Sequence, residues 1–200
     1  MTDQPIHERY NHLINSISSE RFLNMEGLGN ELPFFICPFK PEEFHEMSKM
    51  YESLVKSLRN EMGIRVLKIN LYDLTVHILK ERGIWDRILE TEQSISKQEL
   101  IELLQGVLDP EAHIIPEIRK RMDEQDFDVM FITGVGEVFP YLRSHTILNN
   151  LQSTAKNKPT VLFFPGEYTF SMENGSSLDL FGILCDDKYY RAFNIYHYYA

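Results

Sequence analysis

The 200-residue sequence lacks several things, and each lack removes a class of function. It has no apolar run approaching the roughly 20 residues that cross a bilayer, and its opening stretch, MTDQPIHERYNHL, is polar and carries no apolar signal segment. The chain is therefore expected in the cytoplasm and off the membrane. Cysteine is scarce. Cys37 stands in an apolar run and Cys185 beside acidic residues, which leaves neither a disulfide framework nor a CxxC metal site and implies reduced thiols. Clustered positive charge is scarce too: the formal net charge is −10, and only Arg119-Lys120-Arg121 gathers basic residues. Binding to DNA depends on neutralising phosphates, so no direct DNA binding is expected.

Catalytic patterns are also missing. There is no GxSxG, no HExxH, no paired-carboxylate signature, and no Asp directly ending the third apolar run, where a nucleotide hydrolase keeps a metal-binding carboxylate. No catalytic residue, resident metal or cofactor is expected. His7 and His12 are five residues apart on the first helix, about 140° around its axis, too divergent to share a metal, and are expected on the surface. His77 is expected on a helix surface or packed against one.

What is present describes one soluble domain over residues 1–200: 43% hydrophobic and 25% charged residues, with no internal repeat, low-complexity tract or dividing linker. Its organising stretch is 128–168. Val129-Met130-Phe131-Ile132 is a short apolar run, residues 140–156 carry a helical pattern, and a second apolar run at 161–164 is ended by Pro165-Gly166. Strands that are continuously apolar rather than alternating are buried on both faces, so this reads as a βαβ unit in the middle of a parallel sheet.

The remaining chain fits around that unit. Ile6, Tyr10, Leu13, Ile14 and Ile17 predict an opening amphipathic helix, and a Gly-rich loop at 26–31 feeds a strand at 33–37. Pro38-Phe39-Lys40-Pro41 follows that strand, where an ATP-binding phosphate loop would need glycines and a GK[ST] ending. Pro41 begins a helix reaching Gly63, IRVLKIN at 64–70 gives a second strand, and a short bend leads to a helix starting near Asp73. Residues 84–124 are helical throughout, with Ser96 and Glu99 as a capping box and Asp109-Pro110 opening the last helix. Residues 170–177 read as a polar loop containing Asn174-Gly175, and YYRAFNI at 189–195 reads as a closing strand.

Two candidate binding features emerge. Gly134-Val135-Gly136-Glu137 leaves a central strand ahead of a helix, a context in which backbone amides can bind an anion, but it lacks a third glycine and Glu137 opposes a phosphate, so a tight turn is the better account of the glycines. On the 140–156 helix, Leu148, Leu151 and Ala155 face inward. Arg143, Thr146 and Asn150 share another face with His145 and Asn149 beside it, a polar stripe suited to a partner, a small anion or simply solvent.

NLYDL at 70–74, TGVGEVFPYLRSH at 133–145, LNNLQ at 148–152, LFFPGEY at 162–168 and YYRAF at 189–193 together resemble the BrxB family of bacteriophage exclusion (BREX) defence systems, over nearly the whole chain. The resemblance implies a small component working alongside a DNA methyltransferase, an ATPase and PglZ, a protein of the alkaline-phosphatase superfamily. It supplies no catalytic residues and points to PglZ as partner, with other BREX components possible. The expected fold is three-layer α/β/α with a mainly parallel sheet of about five strands and a helical insertion, an arrangement compatible with a P-loop-like fold that has lost its nucleotide grip. The expected function is a non-enzymatic adaptor that binds PglZ. The alternative is a nucleotide-binding or hydrolysing regulatory subunit using the region from Gly134 to Arg143.

Overall fold

A computed structural model of the chain describes residues 2–27, 32–171, 175–182, 184–185 and 192–198. In chain order these form α1 (Ile6–Ile17), α2 (Glu20–Leu23), β1 (Phe34–Phe39), α3 (Phe44–Met62), β2 (Val66–Asn70), α4 (Leu71–Glu81), α5 (Trp85–Glu92), α6 (Lys97–Val107), α7 (Ile115–Glu124), β3 (Val129–Thr133), α8 (Ser144–Leu151), β4 (Thr160–Ser171), β5 (Gly175–Leu180), β6 (Leu184–Cys185) and β7 (Phe193–Asn194). Strands β2, β3, β4, β1 and β7 lie side by side in that order and all pair in parallel. The far half of β4 carries an antiparallel extension through β5 and β6.

Alternate residues of each central strand feed two separate cores, because successive side chains leave opposite faces of a sheet. Phe34, Ile36, Met130, Ile132, Leu162 and Phe164 pack under α4, α5, α7 and α8. Phe35, Cys37, Val129, Phe131, Val161 and Phe163 pack under α1 and α3. The handedness of the crossovers produces this division. The chain moves from β1 across to β2 and then returns through β3 to β4, and right-handed connections running in opposite directions must lie on opposite faces. The result is the three-layer α/β/α architecture. At the edge, β2 shows interrupted burial, and its outward Lys68 bonds Glu52 of α3, a charged edge that discourages further strand addition.

Several boundaries differ from those in the sequence pattern. Strand β1 runs on through Pro38 to Phe39, since both residues are buried against β4. Strand β4 passes through Pro165-Gly166 rather than ending there, and of the 170–177 stretch the described residues, 170–171 and 175–177, are paired strand instead of polar loop. Gly166 makes this continuation possible, because a Cβ there would lie 2.2 Å from the Asp179 carbonyl oxygen. Strand β2 begins at Val66, and no bend separates it from α4: Asn70 both ends the strand and caps the helix, its side chain accepting from the Asp73 N–H at 3.0 Å. Between β2 and β3 the reciprocal Ser96–Glu99 cap is present, and Asp109 accepts from the Ala112 N–H at 2.8 Å. Asn174, residues 28–31 and the first residues of the expected closing strand, Tyr189 to Arg191, lie outside the described residues.

One charged residue among those described is held inside the α1 face. Arg9 is fully buried, and its Nη2 lies 2.8 Å from Glu43 Oε1, an ion-pair contact rather than an aligned hydrogen bond. Nearby, the Cys37 thiol donates to Tyr196 Oη at 3.4 Å, and burial pushes that thiol up to about 12. His12 was expected on the surface; it is half-buried, with Nε2 3.0 Å from the Ile195 carbonyl oxygen.

Candidate functional site

The carboxyl ends of the four longer parallel strands converge on one crevice. Phe39 of β1, Asn70 of β2, Thr133 of β3 and Pro165 of β4 line it, with Phe44, Met47, Ser48 and Tyr51 of α3 on one side and Gly134 to Glu137 on the other. The connection leaving β1 goes to one face of the sheet and the connection leaving β3 to the other, so this is the topological switch point at which open α/β sheets place ligands. Here the crevice is nearly full. Its cavity is about 20 Å³, enough for about one water molecule and far below the several hundred Å³ of small-molecule sites.

The loop after β3 folds as a tight turn. The Glu137 N–H donates to the Gly134 carbonyl at 3.1 Å, which occupies an amide that an anion would need. Gly134 adopts φ +77°, and a Cβ on it would lie 2.7 Å from Asn70 Oδ1; a Cβ on Gly136 would press on Phe181 and Pro165 at 3.1 Å. Both glycines are therefore explained by backbone conformation and close approach. The sequence pattern placed a helix directly behind this loop. In the structure α8 begins only at Ser144, because Val135, Val138 and Leu142, though spaced helically, are buried from turns broken by Gly136 and Pro140. The tight turn is thus the reading of these glycines that the backbone bears out, and no helix terminus stands behind them for an anion.

Electrostatics at the crevice mouth centre on Glu137. Its carboxyl is held above the ordinary carboxylate range by partial loss of water and by the charge of Asp73, against a hydrogen bond from the Asn70 side chain. Asn70 Oδ1 already accepts from Asp73, so its NH₂ group is the part that serves Glu137. Burial likewise raises the Tyr141 hydroxyl, which bonds Thr75 and stands near Tyr72 and Glu137.

Of the residues singled out in the sequence, Gly134, Gly136 and Glu137 meet at the crevice, whereas Arg143, His145, Asn149 and Asn150 do not line it. Arg143 is exposed at the N-cap of α8, outside the helix, so the expected stripe with Thr146 and Asn150 is cut at its first member. His145 is half-buried. Asn149 accepts from Gln152 at 3.2 Å, and Asn150 donates to the Thr146 carbonyl at 2.8 Å. Leu148, Leu151 and Ala155 are buried as their spacing predicts. Sequence reasoning missed Asn70, Asp73 and Tyr141. The available signal was an Asn closing an apolar run and opening a helical one, the pattern of an N-cap. Among the described residues no group of three His, Cys, Asp or Glu side chains is placed to hold a metal, and no helix is long and apolar enough to cross a membrane.

Comparison with known proteins adds the family. The family model described as "BREX protein BrxB" matches residues 67–195. A "BREX protein BrxB" from Bacillus cereus (strain H3081.97) is 34% identical over 193 residues, covering 95% of this chain and 97% of that protein. Another from Escherichia coli O9:H4 (strain HS) is 28% identical over 195 residues, covering 98% and 94%. No solved structure matches the chain significantly.

Proposed function

The chain belongs to the BrxB family of BREX proteins, and we propose that it works in the cytoplasm as a non-enzymatic adaptor of the antiphage system, binding the PglZ component. The observation that carries this reading is the filled crevice. Where an α/β enzyme keeps room for substrate, this chain has about 20 Å³ walled by Phe39, Phe44, Tyr51 and Phe163. A surface without reaction chemistry or substrate volume is suited to holding another protein. The loop from Gly134 to Arg143, which leaves the carboxyl end of β3 and leads into α8, is the part of the surface proposed for this contact.

The second reading, a nucleotide-binding or hydrolysing regulator, draws on the position of the same crevice at the switch point. Against it stand the missing phosphate loop after β1, the engaged Glu137 amide and the Glu137 carboxylate itself. Two experiments separate the readings. Co-purification of the chain with each BREX component should recover PglZ, and failure to recover it removes the adaptor assignment. Calorimetry with ATP and magnesium should give no heat of binding; micromolar affinity would put the regulator first.

A further inference from the structure

Every other described helix of eight or more residues buries at least one side chain, but α6 buries none. Its Leu100, Leu103, Leu104 and Val107 touch the core on the α8 side and stay half-buried there, and half-buried Ile101 belongs to neither core. These five side chains span an arc of about 160° around the helix. Just before it, α5 buries only Ile88 and leaves Leu89 40% exposed. What holds α6 lies at its ends: the reciprocal Ser96–Glu99 cap at the start, and Arg82, which donates to the Val107 carbonyl, at the finish. A helix of 11 residues is marginal on caps alone, because packing of an apolar face supplies most helical stability. Among the described residues this face is therefore closed only in part by the chain itself. Charge concentrates in the same segment: residues 84–112 hold seven acids and two bases, a net −5 out of the chain's −10. All seven acids are exposed, and among the described residues none is in an ion pair.

We propose that the apolar face of α6, within its acidic surround, is a second docking surface of the chain and takes a basic amphipathic helix of a protein partner. The proposal rests on the adaptor reading and extends it, since an adaptor needs two surfaces and α6 shares no residue with the loop from Gly134 to Arg143. The apolar pattern selects a helix. Leu100, Leu103, Leu104 and Val107 stand at i, i+3, i+4 and i+7, the spacing at which one helix packs along another. A strand has no means of adding here, because the backbone of α6 is bonded within its own helix. Charge complementarity selects the sign. Lysines and arginines flanking the partner's apolar stripe meet the exposed acids of 84–112, which steer them in at long range and fix the pairing once docked. The phosphates of a nucleic acid or of an anionic lipid surface are repelled by the same acids. A second copy of the chain brings an identical net −5 to the contact and is disfavoured for that reason.

Two measurements on the full chain test this. In hydrogen exchange, the α6 amides should exchange at least about tenfold faster than those of α4, a helix of the same length that buries five side chains; equal protection would mean that α6 is already fully seated and would overturn the proposal. In an amide-resolved NMR titration, the probe is a synthetic helix of about 18 residues with leucines at i, i+3, i+4 and i+7 and lysines elsewhere. Its controls are the scrambled peptide and the version with glutamate in place of lysine. The probe should give saturable shifts confined to residues 85–108, at least about tenfold tighter than either control and weaker as salt rises. Ile101→Gln and Glu102→Lys, one apolar and one charge change outside both cores, should each weaken it at least about fivefold with Tm nearly unchanged, and Arg143→Ala should bind it as the unaltered chain does. Equal binding of the scrambled peptide, shifts located elsewhere, loss of binding in Arg143→Ala, or no saturation up to about 1 mM would overturn the proposal. Concentration-dependent shifts of the α6 amides without peptide would also overturn it, by marking a second copy as the occupant. Failure here with PglZ still co-purifying removes this surface and leaves the adaptor reading; probe binding at α6 without co-purification removes that partner and leaves the surface.

Discussion

Replacing Glu43 by glutamine should destabilise the fold far more than a surface change of one charge would. Arg9 is completely buried and Glu43 is its only ion-pair partner among the described residues, with a side chain 24% exposed. Removing one member of a buried pair costs about 3–5 kcal/mol, because the other charge stays behind without compensation. Partial solvent access at Glu43 lowers this to about 2–3 kcal/mol. At about 2–4 °C per kcal/mol for a chain of this size, Tm should fall by roughly 4–12 °C. Glutamine rather than alanine is the right probe, since its amide oxygen still accepts from the Lys40 N–H, as Glu43 Oε2 does at 3.3 Å. The opposite deletion should be milder: Arg9→Met removes the buried charge and leaves Glu43 its water, at about 1 kcal/mol or less. Arg9→Met/Glu43→Gln should then recover most of the loss seen in Glu43→Gln, because apolar replacement of a buried pair is close to neutral. Urea unfolding at pH 7 measures all three variants and closes the double-mutant cycle. A loss under about 1 kcal/mol in Glu43→Gln, or no rescue by Arg9→Met, refutes the argument that burial makes this pair asymmetric.

Further outcomes follow from single features. Gly134→Ala should lose about 2–3 kcal/mol in thermal unfolding, from a strained positive φ and the 2.7 Å approach to Asn70; a neutral result would mean that the loop relaxes freely. Arg143→Ala should leave Tm nearly unchanged, as its side chain is exposed at the N-cap of α8, and weaken PglZ binding at least about tenfold, equivalent to 1.4 kcal/mol, by calorimetry. Asp128 is held below its ordinary 3.8 chiefly by hydrogen bonds from Arg65. In the window between the lowered value and 3.8 the unfolded chain binds more protons than the folded one, so this contribution is complete above 3.8 and is lost as pH falls through the lowered value. Asp128→Asn should therefore lower stability by a constant amount above about pH 4, pH 7 included, and flatten the acid limb of a stability-versus-pH curve.

The layers were legible in the sequence because β1 and β3 are continuous apolar runs, a pattern that only a doubly covered strand tolerates. The switch-point loop was legible as well, since Gly134 follows such a run directly. Arg9 was not, because periodicity assigns a lone arginine to the water side of a helix, and only the Glu43 contact from a distant segment reverses that. The length of β4 was hidden for a related reason: Pro165-Gly166 reads as a terminator, while the Asp179 carbonyl that fixes Gly166 lies thirteen residues on. The helix expected at 140–156 shows the converse error. The spacing of Leu148, Leu151 and Ala155 records burial but not where the helix begins and ends, which the backbone sets at Ser144 and Leu151. Asn70 and Glu137, 67 residues apart, meet only through the pairing of β2 with β3.

Strand order also sets a timetable for synthesis. Strand β1 has β4 on one flank and β7 on the other, so Phe34-Phe35-Ile36-Cys37-Pro38-Phe39 has no native strand to pair with until the ribosome has passed residue 165. At 5–20 residues per second that interval is roughly 6–25 s, during which one of the most apolar segments of the chain is held only by α1 and α3. A proline inside such a segment interrupts the run of backbone donors that cross-β stacking needs, and among the described residues β7 pairs with Phe35 and Ile36 and no strand lies beside Pro38 on that flank. The residue least expected in a central strand thus guards the nascent chain through its longest wait.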